Sequence, residues 1–250
     1  MEAEPESLRV SLSQLDALAW PAVEDWLHPG EAQRLQSLQA LRRRHQYLAG
    51  HWLARCLLAK AYGGEPQDWR LIERRDQAPA VQPPDGRRAA AAAPIQLGLA
   101  HSGGWLAAAV GQHRFGLDIE QRGRSLTRAA FEPLLLNPDQ LGARFGDDAL
   151  LARWVAKEAW IKREQGAALP SRLRQLHLFE DPAGVIRAFR GPDYLLALAT
   201  PHAARFLGTE QPAVDGGWRV LDRNAPDDHP ANRPGNTPAA IAKQPNSKPA

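Results

Sequence analysis

Cysteine is almost missing from this chain. The single copy, Cys56, excludes an internal disulfide and the small stapled scaffolds of the secreted world, so a reducing compartment fits best. It sits in a helical run, residues 53–58, as a small core residue. No apolar run approaches the ~18 residues of a membrane-spanning helix, and the acidic start Met1-Glu2-Ala3-Glu4-Pro5-Glu6 carries no signal-peptide core. The expectation is a soluble, cytoplasmic protein with no membrane partner. A Gly-rich phosphate loop of the usual kind is also lacking, which argues against the common nucleotide-loop phosphotransferases. His101 and Ser102 adjoin, but no acid is placed to complete a nucleophilic triad. Lysine is scarce beside arginine, and the net charge of +3 is too mild to argue for nucleic acid. It suits an acidic partner or a phosphorylated ligand.

What is present is core material and a concentration of charge. The 250 residues are 44% hydrophobic with eight tryptophans, enough for one large domain or two small ones. Two short stretches stand out: Phe115-Gly116-Leu117-Asp118-Ile119-Glu120 and Trp154-Val155-Ala156-Lys157-Glu158-Ala159-Trp160-Ile161-Lys162. In the first, residues 105–110 and 115–120 flank Gly111-Gln112-His113-Arg114, the pattern of a short hairpin. A period of two sends Leu117 and Ile119 to one face and Asp118 and Glu120 to the other. Two carboxylates one strand pitch apart suit a hard cation such as Mg2+, or else form the wet face of an edge strand. In the second stretch, Leu150, Leu151, Trp154 and Val155 define a helical apolar stripe, and the next positions in line are Glu158 and Lys162. An i,i+4 Glu–Lys pair usually lies opposite such a stripe. An inward pair is costly unless something charged meets it.

Elsewhere the pattern places a strand near Leu8, Val10 and Leu12, a helical segment from Pro21 to about Trp26-Leu27, and a break at His28-Pro29-Gly30. A further helical region starts near Glu31, with a basic turn at Arg42-Arg43-Arg44-His45 that is either solvated or a phosphate contact. A core helix spans residues 47–62 and stops at Gly63-Gly64. A short strand at 69–72 precedes a Pro-, Gly- and Ala-rich loop over 73–94, and a strand at 95–100 runs into His101-Ser102. Residues 125–136 are helical, Asn137-Pro138-Asp139 is a cap-like break, and residues 150–165 form the second long helix. Strands at 176–179 and 194–199 lie beyond it. Residues 210–250, rich in Pro and Asn, read as a disordered tail.

Taken together, Gly116-x-Asp118-x-Glu120 followed roughly 35 residues later by Trp154-x-x-Lys157-Glu158-Ala159-x-x-Lys162 resembles the signature of the 4′-phosphopantetheinyl transferases, in their longer, monomeric Sfp-type branch. The resemblance covers about residues 20–205. It implies an α/β (α+β) fold with pseudo-twofold halves, each a small sheet with a long core helix: 1–110, 111–209, and the tail beyond. It implies Mg2+ held by Asp118, Glu120 and Glu158, and coenzyme A as co-substrate on Arg34, Arg44, Arg55, His101, Ser102 and Lys162. It also implies Glu158, Lys162 and Lys157 in catalytic roles and a serine of an apo acyl or peptidyl carrier protein as acceptor. Asp139 falls near a third acidic position of the family, which competes with an ordinary N-cap role. Some positions depart from the family pattern. Glu31 and Gln46 replace expected basic residues, and Gln77-Ala78-Pro79 lacks the lysine of a Gly-Lys-Pro motif. These departures favour one rival, a degenerate coenzyme A or carrier-binding module. A nucleic-acid module on Arg42–Arg44 and Arg122–Arg124 leaves the carboxylates unexplained.

Overall fold

The structure, a computed structural model, describes residues 7–74, 78–84, 93–123, 127–165, 170–207 and 212–222. The chain begins with β1 (Leu8–Gln14), whose Leu8, Val10 and Leu12 alternate inward. A single 3-10 turn, Val23–Asp25, stands where the pattern suggests a helix. After it come α1 (Pro29–Ser37) and α2 (Leu41–Tyr62). The latter begins at Leu41 rather than Tyr47, so Arg42, Arg43 and Arg44 occupy its first turns. It ends at Gly63, whose φ of 81° is the left-handed conformation that favours glycine. Strand β2 (Arg70–Ile72) pairs with β3 (Ala80–Gln82), which lies inside the stretch the composition marks as loop.

The remaining elements are β4 (Gln96–Ser102), β5 (Trp105–Gly111), β6 (Gly116–Gln121), α3 (Arg128–Leu135), α4 (Asp147–Arg163), α5 (Pro170–Gln175), β7 (Leu176–Glu180), β8 (Ile186–Arg190), β9 (Tyr194–Ala199), β10 (Ala204–Phe206) and β11 (Ala213–Asp222). They form two larger sheets, ordered β10-β1-β5-β4 and β6-β9-β8-β11-β7. The class is mixed, α+β. Strands β5 and β6 do not form the expected hairpin: β5 lies between β1 and β4, and β6 pairs with β9 in the other sheet. The reason is the burial of both sheets' inner faces. Leu117 and Ile119 of β6 pack with Leu196 and Leu198 of β9 against Val10, Ala107 and Ala109 of the first sheet, so Gly111–Phe115 carries the chain from one layer to the next.

Each sheet buries its outer face under one long helix. Leu53, Leu57 and Leu58 of α2 cover Leu106, Ala108 and Val110. Leu151, Val155 and Ala159 of α4 cover Leu195, Ala197 and Ala199. The layers therefore run helix, sheet, sheet, helix. Strands β5 and β9 are buried on both faces, and the three alanines of β5, Ala107 to Ala109, let the layers approach closely there. Among the described residues no helix is long and apolar enough to cross a membrane.

One boundary needs correction. Residues 223–250 lie outside the described residues, but Ala213–Asp222 is a strand rather than a disordered tail. It is hydrogen-bonded between β8 and β7, and Trp218 is only 5% exposed. Its buried apolar side chains, Trp218 and Val220, come after Gly216-Gly217, which hides the strand in a polar composition. The Asp222 carboxylate is held by a bidentate pair with Arg172, one arm at 2.7 Å. Trp218→Ala is expected to cost about 3–5 kcal/mol, read as a lower urea midpoint. A cost below about 0.5 kcal/mol, the ordinary range for surface changes, would restore the tail.

Candidate active site

The carboxylate-bearing face of β6 points toward α4. This depends on Gly116: a Cβ there would lie 1.7 Å from the Ala159 carbonyl oxygen, so only glycine lets the strand start so close to the helix. The approach brings Lys162 Nζ to 2.5 Å from Asp118 Oδ1, and the same ammonium lies 3.9 Å from Glu158 Oε2. Asp118 is 4% exposed, and its Oδ2 is buried with no hydrogen-bond partner. Glu120, next on the same strand face, accepts a short hydrogen bond from Ser102 Oγ, and that hydroxyl in turn accepts from the Gln121 N–H at 3.2 Å. Asp118, Glu120, Glu158 and Lys162 therefore form one electrostatic group.

The protonation of this group follows from its burial. Asp118 is pushed up to about 6 by desolvation against the pull of Lys162, and Glu158 up to about 7 by desolvation and then the Asp118 charge. Burial works to lower the Lys162 pKa, but Asp118, Glu158 and Glu120 together raise it. The donors are all oxygens, the chemistry a hard divalent cation prefers, and the partnerless Asp118 Oδ2 is the atom such an ion would satisfy. Among the described residues, however, no three His, Cys, Asp or Glu side chains are gathered closely enough to hold a metal as they stand. The Lys162 ammonium supplies the counter-charge to Asp118.

Lys162 also lines a cavity of about 860 Å³ bounded by α2, β4, the start of β6 and the end of α4. Among the described residues its walls carry Arg34, Arg74, Arg114, Lys162 and Arg163 against one carboxylate, Glu73. Arg163 is pulled below the usual guanidinium range by burial, against Glu164 and with help from Arg114, and its Nε is buried without a partner. The resemblance names Arg34 and Lys162 as coenzyme A contacts, and both line this cavity. It does not name Arg74, Arg114 or Arg163, because nothing in their spacing links separate loops and helix ends to one cavity.

Other expected site residues lie elsewhere. Arg55 is fully buried and pairs with Glu31 (Nη2 to Oε2, 2.6 Å), with its guanidinium 4.9 Å from the Trp26 ring centroid. It is a core ion pair, not a ligand contact. Burial pushes the Glu31 carboxyl up, but hydrogen bonds from His51 and Arg55 outweigh it and hold Glu31 below the usual range. Glu31 thus stands where a basic residue is expected because it anchors α1 to α2. Arg44 is half-buried on α2 and outside the cavity lining. His101 Nε2 lies 3.2 Å from Arg43 Nη1, and its pKa is lowered by desolvation and then by Arg43, Lys162 and Arg42. Ser102 serves Glu120 rather than the cavity. Asp139 is exposed in the turn Pro138–Gln140, where Asn137 is the capping residue. Arg122 is neutralised by Asp148 at 2.6 Å, and Arg124 lies outside the described residues.

Lys157 needs correction as a catalytic candidate. It is 1% exposed and points away from the carboxylates, donating to the carbonyls of Leu134 (2.7 Å) and Leu173 (2.9 Å). It ties α3 and α5 to α4. Burial, then Arg153, pushes its pKa down to about 7. Comparison with known proteins adds no assignment: no family model matches the chain, and no curated protein matches it.

Two outcomes follow. Asp118 and Glu158 hold protons more tightly folded than unfolded. Their stabilising contribution is full below an ordinary carboxylate pKa of about 4 and is lost as pH rises through about 6 and about 7. In chelator, thermal stability is expected to fall across that window, and the pair Asp118→Asn with Glu158→Gln to flatten the slope; an unchanged slope contradicts the assignment. Lys157→Met strands two carbonyls and is expected to cost about 1–3 kcal/mol in urea denaturation while leaving divalent-cation affinity unchanged. A loss of cation binding in a folded variant would return Lys157 to the site.

Proposed function

We propose that this protein is a Mg2+-dependent 4′-phosphopantetheinyl transferase with the two-lobed Sfp-type architecture. In this reading it moves the phosphopantetheine arm of coenzyme A to a serine of an apo acyl or peptidyl carrier protein. The observation that carries the reading is the buried Asp118 with its partnerless Oδ2, bridged by Lys162 to a cavity walled by cations. Its residues fall in the motif order that resembles that family. A cavity of about 860 Å³ is within the size of small-molecule and cofactor sites, and its charge suits a ligand bearing several phosphates.

Asp118, Glu120 and Glu158 would hold the ion, which when bound neutralises charge on the pyrophosphate oxygens. The cationic wall binds and orients coenzyme A, with Lys162 placed between the phosphates and the carboxylates. The carrier's serine oxygen forms a bond to the β-phosphorus as the bridging oxygen departs on 3′,5′-ADP. Glu158, 3.9 Å from the Lys162 ammonium, is the candidate base for the serine proton. Lys162 stabilises the negative charge of the leaving phosphate. The nucleophile belongs to the partner, consistent with a site of acids and a lysine.

A second reading, binding of coenzyme A or a carrier without transfer, is favoured by one observation: the carboxylates are not preassembled into a three-ligand group among the described residues. Intact-mass measurement on a panel of apo carrier proteins with coenzyme A and Mg2+ separates the two. Transfer adds about 340 Da in a reaction that EDTA abolishes, and Glu158→Gln is expected to slow it by about 10²–10⁴-fold. Bound coenzyme A with no mass gain on any carrier supports the second reading. No binding at all contradicts both.

A further inference from the structure

Among the described residues of the cavity lining Glu73 is the one carboxylate beside five cations, and it forms no ion pair with any of them. In a positive enclosure a free carboxylate would fold onto the nearest guanidinium. Here it is restrained: Tyr47 Oη donates to Glu73 Oε1 at 2.5 Å, and His51 Nε2 lies 3.6 Å from the same oxygen. The restraint is itself anchored, because His51 Nδ1 sits 2.6 Å from Glu31 Oε1 in the fully buried Glu31–Arg55 pair. Glu73 is 30% exposed, and its Oε2 makes no hydrogen bond among the described residues. Beside it the Tyr47 and His51 rings lie 4.0 Å apart at 31°, and Leu97 and Pro79 add apolar surface. A fixed acceptor among aromatic and apolar lining residues matches a heteroaromatic ring that presents a donor.

We propose that Glu73, held by Tyr47, is the base-recognition residue of this cavity and selects a nucleotide whose base carries an exocyclic amino group over one carrying a keto oxygen. A 6-amino group donates straight to Oε2, whereas a 6-keto purine turns its oxygen toward the carboxylate and can meet it only through the neighbouring N1–H, in a shifted pose that gives up part of the stacking and phosphate contacts. The assignment rests on the cavity being the nucleotide-phosphate site of the proposed transferase, and it names the part of the ligand that Glu73 reads.

The test is calorimetric titration of the full chain with adenosine 3′,5′-bisphosphate and with inosine 3′,5′-bisphosphate, which differ in that one group. The wild type is expected to prefer the adenosine compound by about tenfold or more, the penalty for an unmet buried polar group. Glu73→Gln keeps the shape and supplies a donor, so the preference is expected to shrink to about threefold or less, by loss of the amino contact and gain of a keto contact. Tyr47→Phe, which releases the carboxylate, is expected to move the ratio the same way. Equal wild-type affinities, or a ratio unchanged in a folded Glu73→Gln protein, overturn the assignment and leave the phosphate site standing. Failure of both nucleotides to bind the wild type overturns the assignment and the site together.

Discussion

The Lys162–Asp118 ion pair joins the end of α4 to β6 at a contact that only Gly116 permits. Without that contact the helix would be displaced outward, and neither Glu158 nor Lys162 would reach the strand's carboxylates. The pair is half satisfied. Asp118 Oδ1 has its ammonium, while Oδ2 is buried and partnerless, a condition that costs about 1–3 kcal/mol in an inert core. Around it, desolvation lifts two carboxyl pKa values toward neutrality. A structure that leaves such a group in place has stored charge where an incoming ligand can relieve it.

The cations of the molecule divide by surroundings rather than by position in sequence. Arg55 is neutralised between α2 and α1 by the buried Glu31, and Arg122 nearer the surface by Asp148. Lys157 spends its hydrogen bonds on two carbonyls. Arg34, Arg74 and Arg114 pair with no described carboxylate, and with Lys162 and Arg163 they line a single cavity. Glu31 builds a buried anchor between α1 and α2, and the cations of the cavity wall come from other elements.

Much of the site was legible because it is local. Alternation in β6 separates Leu117 and Ile119 from Asp118 and Glu120, and the stripe along α4 runs from Leu151 and Val155 into Glu158 and Lys162. The long helices were legible for the same reason. What was not legible is non-local. Strand β6 follows β5 closely in sequence yet pairs with β9, because the partner of a strand is decided by which faces must be buried together. Strand β11 lies in a polar stretch and takes its place from the gap between β8 and β7. Lys157 sits next to Glu158 in sequence, but neighbours on a helix are about 100° apart, so one faces the carboxylates and the other the α3 and α5 ends.

Diffraction from crystals soaked with Mn2+ and coenzyme A, with anomalous differences recorded at the manganese edge, separates a cation site from a lone buried ion pair. One ion is expected about 2.0–2.2 Å from Asp118 Oδ2, as for a hard divalent cation, with the pyrophosphate against it and Lys162 drawn from Asp118 toward the phosphates. An anomalous peak elsewhere, or coenzyme A bound while Lys162 stays on Asp118 and Oδ2 stays bare, would contradict it.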